Sequence, residues 1–216
     1  MPDGVRVSAW LVEGVVLRDP IALDALLMGV VARRLGKLPP VSPEEIEPIE
    51  IPVRRSDCGR VYLCSSSIHR VERSTLRYKQ RRAPLQEYAR LGSEKIKRAD
   101  ISVGANKSLR VPYVWQILDG DRLDWYAVGD PDEIRSLLTD VHYLGKHTGS
   151  GKGRVRSWQV APCEEWPGFP VLRDGRPLRN LPLDWPRLCE RPRTAMANLT
   201  PPYWMRATET MVAVPS

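Results

Sequence analysis

Residues 122–160 read RLDWYAVGDPDEIRSLLTDVHYLGKHTGSGKGRVRSWQV, and the rest of the chain is placed by this run. Residues 122–128 are apolar and aromatic enough for a strand. Asp130 then stands as a helix N-cap, Pro131 occupies the first helical position, where a missing N–H costs little, and Glu133 completes a D-x-x-E capping pattern. Ile134, Leu137, Leu138, Val141 and Leu144 recur at helical spacing, which predicts a helix ended by Gly145. A loop over 145–154 leads into a strand over about 154–161. Upstream, the Val-rich residues 5–17 predict a strand. Asp19-Pro20 predicts the start of a helix carrying Leu23, Leu26, Leu27, Val30 and Val31, closed by Leu35-Gly36. Residues 49–55 and 61–68 suggest a hairpin around Asp57-Cys58-Gly59, and 109–118 a strand joined to 122–128 by the turn Asp119-Gly120-Asp121. The expected class is α+β, a ferredoxin-like β-α-β-β-α-β core spanning 1–161. Residues 162–216 hold 10 of the 20 prolines and 3 of the 7 tryptophans. They read as an extension packed on that core, with an edge strand near 205–214.

The chain has 216 residues, 42% hydrophobic and 27% charged, with a net charge of +7. Such a chain can bury a core, and no apolar run nears the ~20 residues of a membrane helix. Met1-Pro2-Asp3 does not open a signal peptide. Cys58, Cys64, Cys163 and Cys189 form no CxxC pair, so free thiols in a reducing cytoplasm are expected, without a metal or other cofactor. The charge is unevenly placed. Residues 69–110 hold 12 Lys/Arg against 4 Asp/Glu, and residues 145–156 add 4 basic residues and no acid. Elsewhere 17 basic residues meet 22 acidic ones, a balance of −5. A slightly acidic body thus carries two basic devices.

The first device is Gly145, Lys146, His147, Thr148, Gly149, Ser150, Gly151, Lys152, Gly153 and Arg154. It is not a nucleotide-hydrolysing P-loop: Ser150 stands where the second glycine belongs, Gly153 follows Lys152 where a Ser or Thr must bind magnesium, and the loop runs from helix to strand. Glycines allow close approach of a phosphodiester backbone, successive N–H groups can cradle anions, and the lysines supply long-range attraction. The loop therefore reads as an RNA-backbone grip, against the alternative of a solvated turn.

The second device is the insertion 69–108, in which no sustained periodicity is evident. Arg73, Arg77, Lys79, Arg81 and Arg82 cluster around Tyr78, and Lys95, Lys97, Arg98 and Lys107 follow. Cations interleaved with a ring suit single-stranded RNA: charge for phosphate, ring for base. An RNA-recognition motif is excluded because the only Phe, Phe169, lies in the proline-rich tail. Trp10, Trp115, Trp125 and Trp158 are expected in the core, and Trp166, Trp185 and Trp204 are expected to pin the tail.

PIALDALL (20–27), WYAVGDPDEI-x-x-LL (125–138), YLGKHTGSGKGRVRSWQV (143–160) and PPYW (201–204) together resemble the RAMP superfamily of CRISPR-associated proteins. Within it they resemble the type IV subunit of the Cas-five type, the Csf family. The resemblance implies a non-catalytic subunit that caps a guide-RNA effector at the crRNA 5′ handle. Gly149–Gly153 would touch RNA, and 69–108 would form a thumb. The implied partners are crRNA, the repeated backbone RAMP subunit and the large subunit, with target DNA reached through the complex, a helicase as a further candidate, and no membrane. Where the family loop commonly starts with an Arg or Lys pair, this sequence has Lys146-His147. The alternative is a metal-independent crRNA-processing endoribonuclease using His69 with Lys79 and Tyr78, since relatives that process RNA use a His/Lys/Tyr set.

Overall fold

A computed structural model describes residues 4–37, 39–40, 42–81 and 109–215. It is an α+β structure. The strand β1 (Gly4–Leu11) is followed by the helix α1 (Leu23–Arg34), then β2 (Val71–Arg81), β3 (Leu109–Leu118), β4 (Arg122–Val128), the helix α2 (Pro131–Leu138) and β5 (Val155–Pro162). Four short strands complete the C-terminal part: β6 (Leu172–Arg173), β7 (Arg176–Pro177), β8 (Thr194–Ala197) and β9 (Thr210–Ala213).

The central sheet has the order β4-β1-β5, antiparallel throughout. Val5, Val7, Ala9 and Leu11 point to one face with Leu123, Trp125 and Ala127. Both helices pack on that face, burying Leu23, Leu27 and Val30 from α1 and Ile134, Leu137 and Leu138 from α2. Burial of these side chains outweighs the local turn chemistry. At roughly 1.5–3 kcal/mol for each large aliphatic residue, the buried Val, Leu and Ile side chains of this core dominate the fold's stability. Residues 62–68 run along the outer edge of β4, bridging at Cys64–Ala127 and Ile68–Asp124. Residues 54–56 fold back on 61–63 through Arg55–Tyr62, so the expected hairpin is present as a short bridged turn.

Four elements depart from the sequence reading. The first helix begins at Leu23, not at Pro20, because Ile21–Leu23 is drawn into backbone pairing with Ser65–Ser67 and Ile21 N–H donates to Ser67 Oγ. Its end at Leu35-Gly36 is as expected, with Gly36 at φ 66°. Helix α2 has the expected N-cap, Asp130 Oδ1 accepting from the N–H groups of Asp132 and Glu133 at 2.9 Å. It stops at Leu138, however, where Asp140 and Val141 make tighter bonds three residues back, although Val141 and Leu144 are still buried. Residues 71–81 of the basic insertion form a strand. Finally, β3 follows this new strand and not β4: they pair antiparallel from Val71–Leu118 to Arg81–Leu109. The turn 119–121, with Gly120 at φ 63° and Asp121 at φ 50°, joins β3 to β4 while directing them into different sheets.

The C-terminal extension is fastened by a buried ion pair. Arg179 Nη2 lies 3.0 Å from Asp24 Oδ2 on α1, with 1% and 0% of the two side chains exposed. Trp166 packs edge-on against Tyr126 and Phe169, and Trp185 against a smaller core of Val61, Val171, Leu172 and Leu181. Trp204 departs from expectation: it is 66% exposed, and its neighbour Tyr203 is the residue that turns inward, to Asp24.

Candidate nucleic-acid interface

Residues 12–16 leave the central sheet in an extended strip that joins the two basic devices. Its even-numbered residues bond to the glycine-rich loop: Val12 N–H donates to Arg154, Gly14 accepts from Gly153, and Val16 accepts from Lys146. Its odd-numbered Val15 exchanges two backbone bonds with Gln116 of β3, at 2.8 and 2.9 Å. Extended backbone offers its polar groups alternately to either side, so one strip can hold loop and ribbon at once. Gly14 is required by the approach, since a Cβ there would fall 2.3 Å from Gln116 O and 2.6 Å from Trp115 Nε1.

The β2–β3 ribbon has two chemically different faces. Alternation puts Arg73, Thr75, Arg77 and Lys79 on the same face as Tyr113, Trp115 and Ile117 of β3, their cross-strand neighbours. The glycine loop meets this face. The His147 ring stacks on Tyr113 with centroids 4.2 Å apart and planes at 29°. The Trp115 ring carries two cations, Arg77 Cζ at 4.5 Å and Lys152 Nζ at 4.4 Å from its centroid. Lys152 Nζ is also 3.1 Å from Glu13 Oε2, and its side chain is only 17% exposed. Trp115 therefore departs from the expected core role. It is half-buried between ribbon and loop, and its Nε1–H is buried with no acceptor. The opposite face carries Leu76, Tyr78 and Val114, all exposed, with Arg110 Cζ 4.1 Å over the Tyr78 ring.

Within the loop, the glycines divide into two kinds. Gly153 is buried at φ 69°, and a Cβ would fall 1.9 Å from Leu144 O. Its N–H and carbonyl are both used internally. Gly149 and Gly151 have nothing within 4 Å of a built Cβ, and the exposed turn Thr148–Ser150 presents them outward. Ser150 Oγ donates back to His147 O at 3.2 Å. Gly145, Lys146 and Arg154 are exposed, and the Arg154 backbone bridges that of Tyr143.

The structure thus brings together Arg73, Arg77, Lys79, His147 and Lys152 of the residues singled out from sequence. It separates Tyr78, which faces the other way. Arg81 ends β2; Arg82, Lys95, Lys97, Arg98 and Lys107 lie outside the described residues. Tyr113, Trp115 and Glu13 were not among the sequence candidates for RNA contact. The signal was present in the alternation Arg73-x-Thr75-x-Arg77-x-Lys79, a period-2 pattern written in basic instead of apolar residues.

A His69/Lys79/Tyr78 site is not assembled. His69 lies at the root of the ribbon. Lys79 is eight strand residues beyond Val71, about 26 Å at 3.3 Å per residue. Tyr78 and Lys79 point to opposite faces. His69 is half-buried with Nδ1 lacking a partner, and burial lowers its pKa. Among the described residues no three His, Cys, Asp or Glu side chains cluster as metal ligands, and no helix is long and apolar enough to cross a membrane.

An α+β body that presents cations and aromatic rings together on an extended ribbon is the class of protein defined here. The model of the family described as CRISPR type IV associated protein Csf3 matches residues 7–215, and the chain belongs to that family. Its role is therefore type IV CRISPR-associated, as the sequence motifs implied. Comparison with curated proteins gives no match.

Proposed function

We propose that this chain is the non-catalytic guide-RNA-binding subunit of a type IV CRISPR ribonucleoprotein effector, capping it at the crRNA 5′ handle. The observation that carries the reading is the junction at residues 12–16, which sets the glycine loop against the cationic face of the ribbon. Arg73, Arg77, Lys79 and Lys152 offer charge for phosphates, while Tyr113, Trp115 and His147 offer rings beside them, the combination single-stranded RNA needs. The fold is read as a RAMP-type ferredoxin-like core with the ribbon as its thumb. Support comes from the lateral order of residues 62–68, β4, β1 and β5, with both helices on one face. The partners are then crRNA, the repeated backbone subunit and the large subunit, with target DNA and a helicase engaged through the assembled complex, in the cytoplasm.

The test is fluorescence anisotropy with a labelled repeat-derived crRNA across a salt series. Each phosphate contact contributes about 0.7 to the slope of log K against log salt for a single strand. The triple variant Arg73→Ala/Arg77→Ala/Lys79→Ala should weaken binding and flatten that slope by about 2. Lys152→Ala should weaken it as well. Binding that survives neutralisation of both ribbon and loop would refute the proposal.

A further inference from the structure

Beside the start of the glycine loop, between residues 16–26 and 143–146, lies a groove of about 450 Å³. Its floor is apolar: Val16, Leu17, Ile21 and Leu26, three of them only half-buried against the main core. Its wall is Tyr143, 42% exposed, whose backbone bridges Arg154. Bridged residues point their side chains the same way, so Arg154 leaves the backbone on the same side as Tyr143. Lys146 and Arg18 complete the rim, both exposed, with Asp19 3.8 Å from Arg18. An exposed ring, an apolar floor and two rim cations around one nucleotide-sized groove form a pattern in which each part answers one part of a nucleotide.

We infer that this groove holds one unstacked nucleobase of the RNA strand gripped by the glycine loop. Tyr143 would be its stacking platform, and Lys146 and Arg18 would hold the phosphates on either side. The inference rests on the RNA-binding reading above and adds a site to it. Charge complementarity selects this occupant over an apolar peptide: an apolar helix would bury both rim cations against its own flank, whereas a nucleotide's flanking phosphates answer them. The loop explains how a strand reaches the groove. Lys146 is tied to Val16 by a 2.8 Å backbone bond, so the loop's first residues form the groove's edge. The same strand could therefore pass from the ribbon face, over the outward Gly149–Gly151 turn, to the groove.

The experiment uses the full chain and single-stranded repeat RNA carrying 4-thiouridine at one position at a time. Photocrosslinking to Tyr143 from one position or two adjacent ones is expected. Stacking on a protein ring is worth ~1–3 kcal/mol per base, so Tyr143→Ala should weaken binding about tenfold, and Tyr143→Phe, which keeps the ring, should bind as the parent does. If Tyr143→Ala binds RNA like the parent while Lys152→Ala binds weakly, the groove assignment is wrong and the RNA-binding reading stands. If the parent chain binds no RNA, both fall. A mononucleotide arm separates the remaining source of the same chemistry: AMP that abolishes the crosslink at micromolar concentration would assign the groove to a free nucleotide and overturn the strand assignment, whereas a crosslink that persists supports it.

Discussion

Replacing Arg179 by Met removes the cation that holds the C-terminal extension to α1. Arg179 Nη2 donates to Asp24 Oδ2 at 3.0 Å, to Leu199 O at 2.8 Å and to Tyr203 Oη at 2.8 Å. Nη1 donates to Tyr62 O at 2.6 Å and to Cys64 O at 3.3 Å. Asp24 is fully buried on a core helix and keeps only the Tyr203 hydroxyl and the Ala25 N–H once the guanidinium is gone. Breaking a buried pair in this way costs about 3–5 kcal/mol, because an uncompensated charge is left behind. For a chain of this length each kcal/mol is roughly 2–4 °C in melting temperature, so Arg179→Met should melt about 6–20 °C lower by circular dichroism or differential scanning fluorimetry. Arg179→Lys keeps the charge but lacks the fork that reaches five oxygen acceptors, and should lose a smaller part. The double variant Asp24→Leu/Arg179→Met removes both charges, and should be destabilised by clearly less than the sum of the two single changes. A melting temperature for Arg179→Met within about 2 °C of the parent, or additive single changes, would refute the reasoning.

Other positions give sharper local contrasts. Gly153→Ala should cost about 1–2 kcal/mol from its left-handed backbone alone, and more from the Leu144 carbonyl, whereas Gly149→Ala should leave the melting temperature unchanged within a degree or two; equal effects would contradict the division of the loop glycines. Trp115→Ala removes two cation–ring contacts at roughly 0.5–1 kcal/mol each and should weaken RNA binding several-fold, with Trp115→Phe intermediate; RNA binding unchanged by Trp115→Ala would count against the ribbon–loop surface. The exposed Cys58 thiol is lowered to about 7 by Ser56, 3.3 Å away, and by the Arg60 N–H and guanidinium. Its alkylation by iodoacetamide should rise as pH increases through about 7, the thiolate being the reactive form. Cys64, pushed up by burial and by the Asp24 charge, should react only after unfolding; mass spectrometry of labelled peptides reads both.

Much of the core was legible because its signals are local. Asp130-Pro131 starts α2 wherever the helix is placed, and Leu35-Gly36 ends α1. Val5 to Leu11 reads as a strand from composition alone. The end of α2 was not legible: Val141 and Leu144 keep helical spacing and are buried, yet they are reached by turns instead of a continued helix. The start of α1 was hidden for another reason. Asp19-Pro20 is a sound cap signal, but Ile21–Leu23 has a better use pairing with Ser65–Ser67, some 45 residues away. Nor could the Asp119–Asp121 turn show that it joins two sheets, because a turn records a change of direction and not which strand lies alongside.

By itself the sequence determined that the excess of positive charge is confined to two segments, that one of them is a glycine-rich helix-to-strand loop, and that the motifs are those of a type IV CRISPR-associated protein. Tertiary structure decided that the two segments meet. Val15 pairs with Gln116 while Gly14 and Val16 pair with the loop, and these partners lie about a hundred or more positions apart in the chain. Backbone pairing at that separation leaves no periodic trace in either segment, because the bonds use main-chain groups every residue carries. The side chains it brings together, Trp115 with Lys152 and Tyr113 with His147, consequently become one surface only after the strip at residues 12–16 has seated both partners.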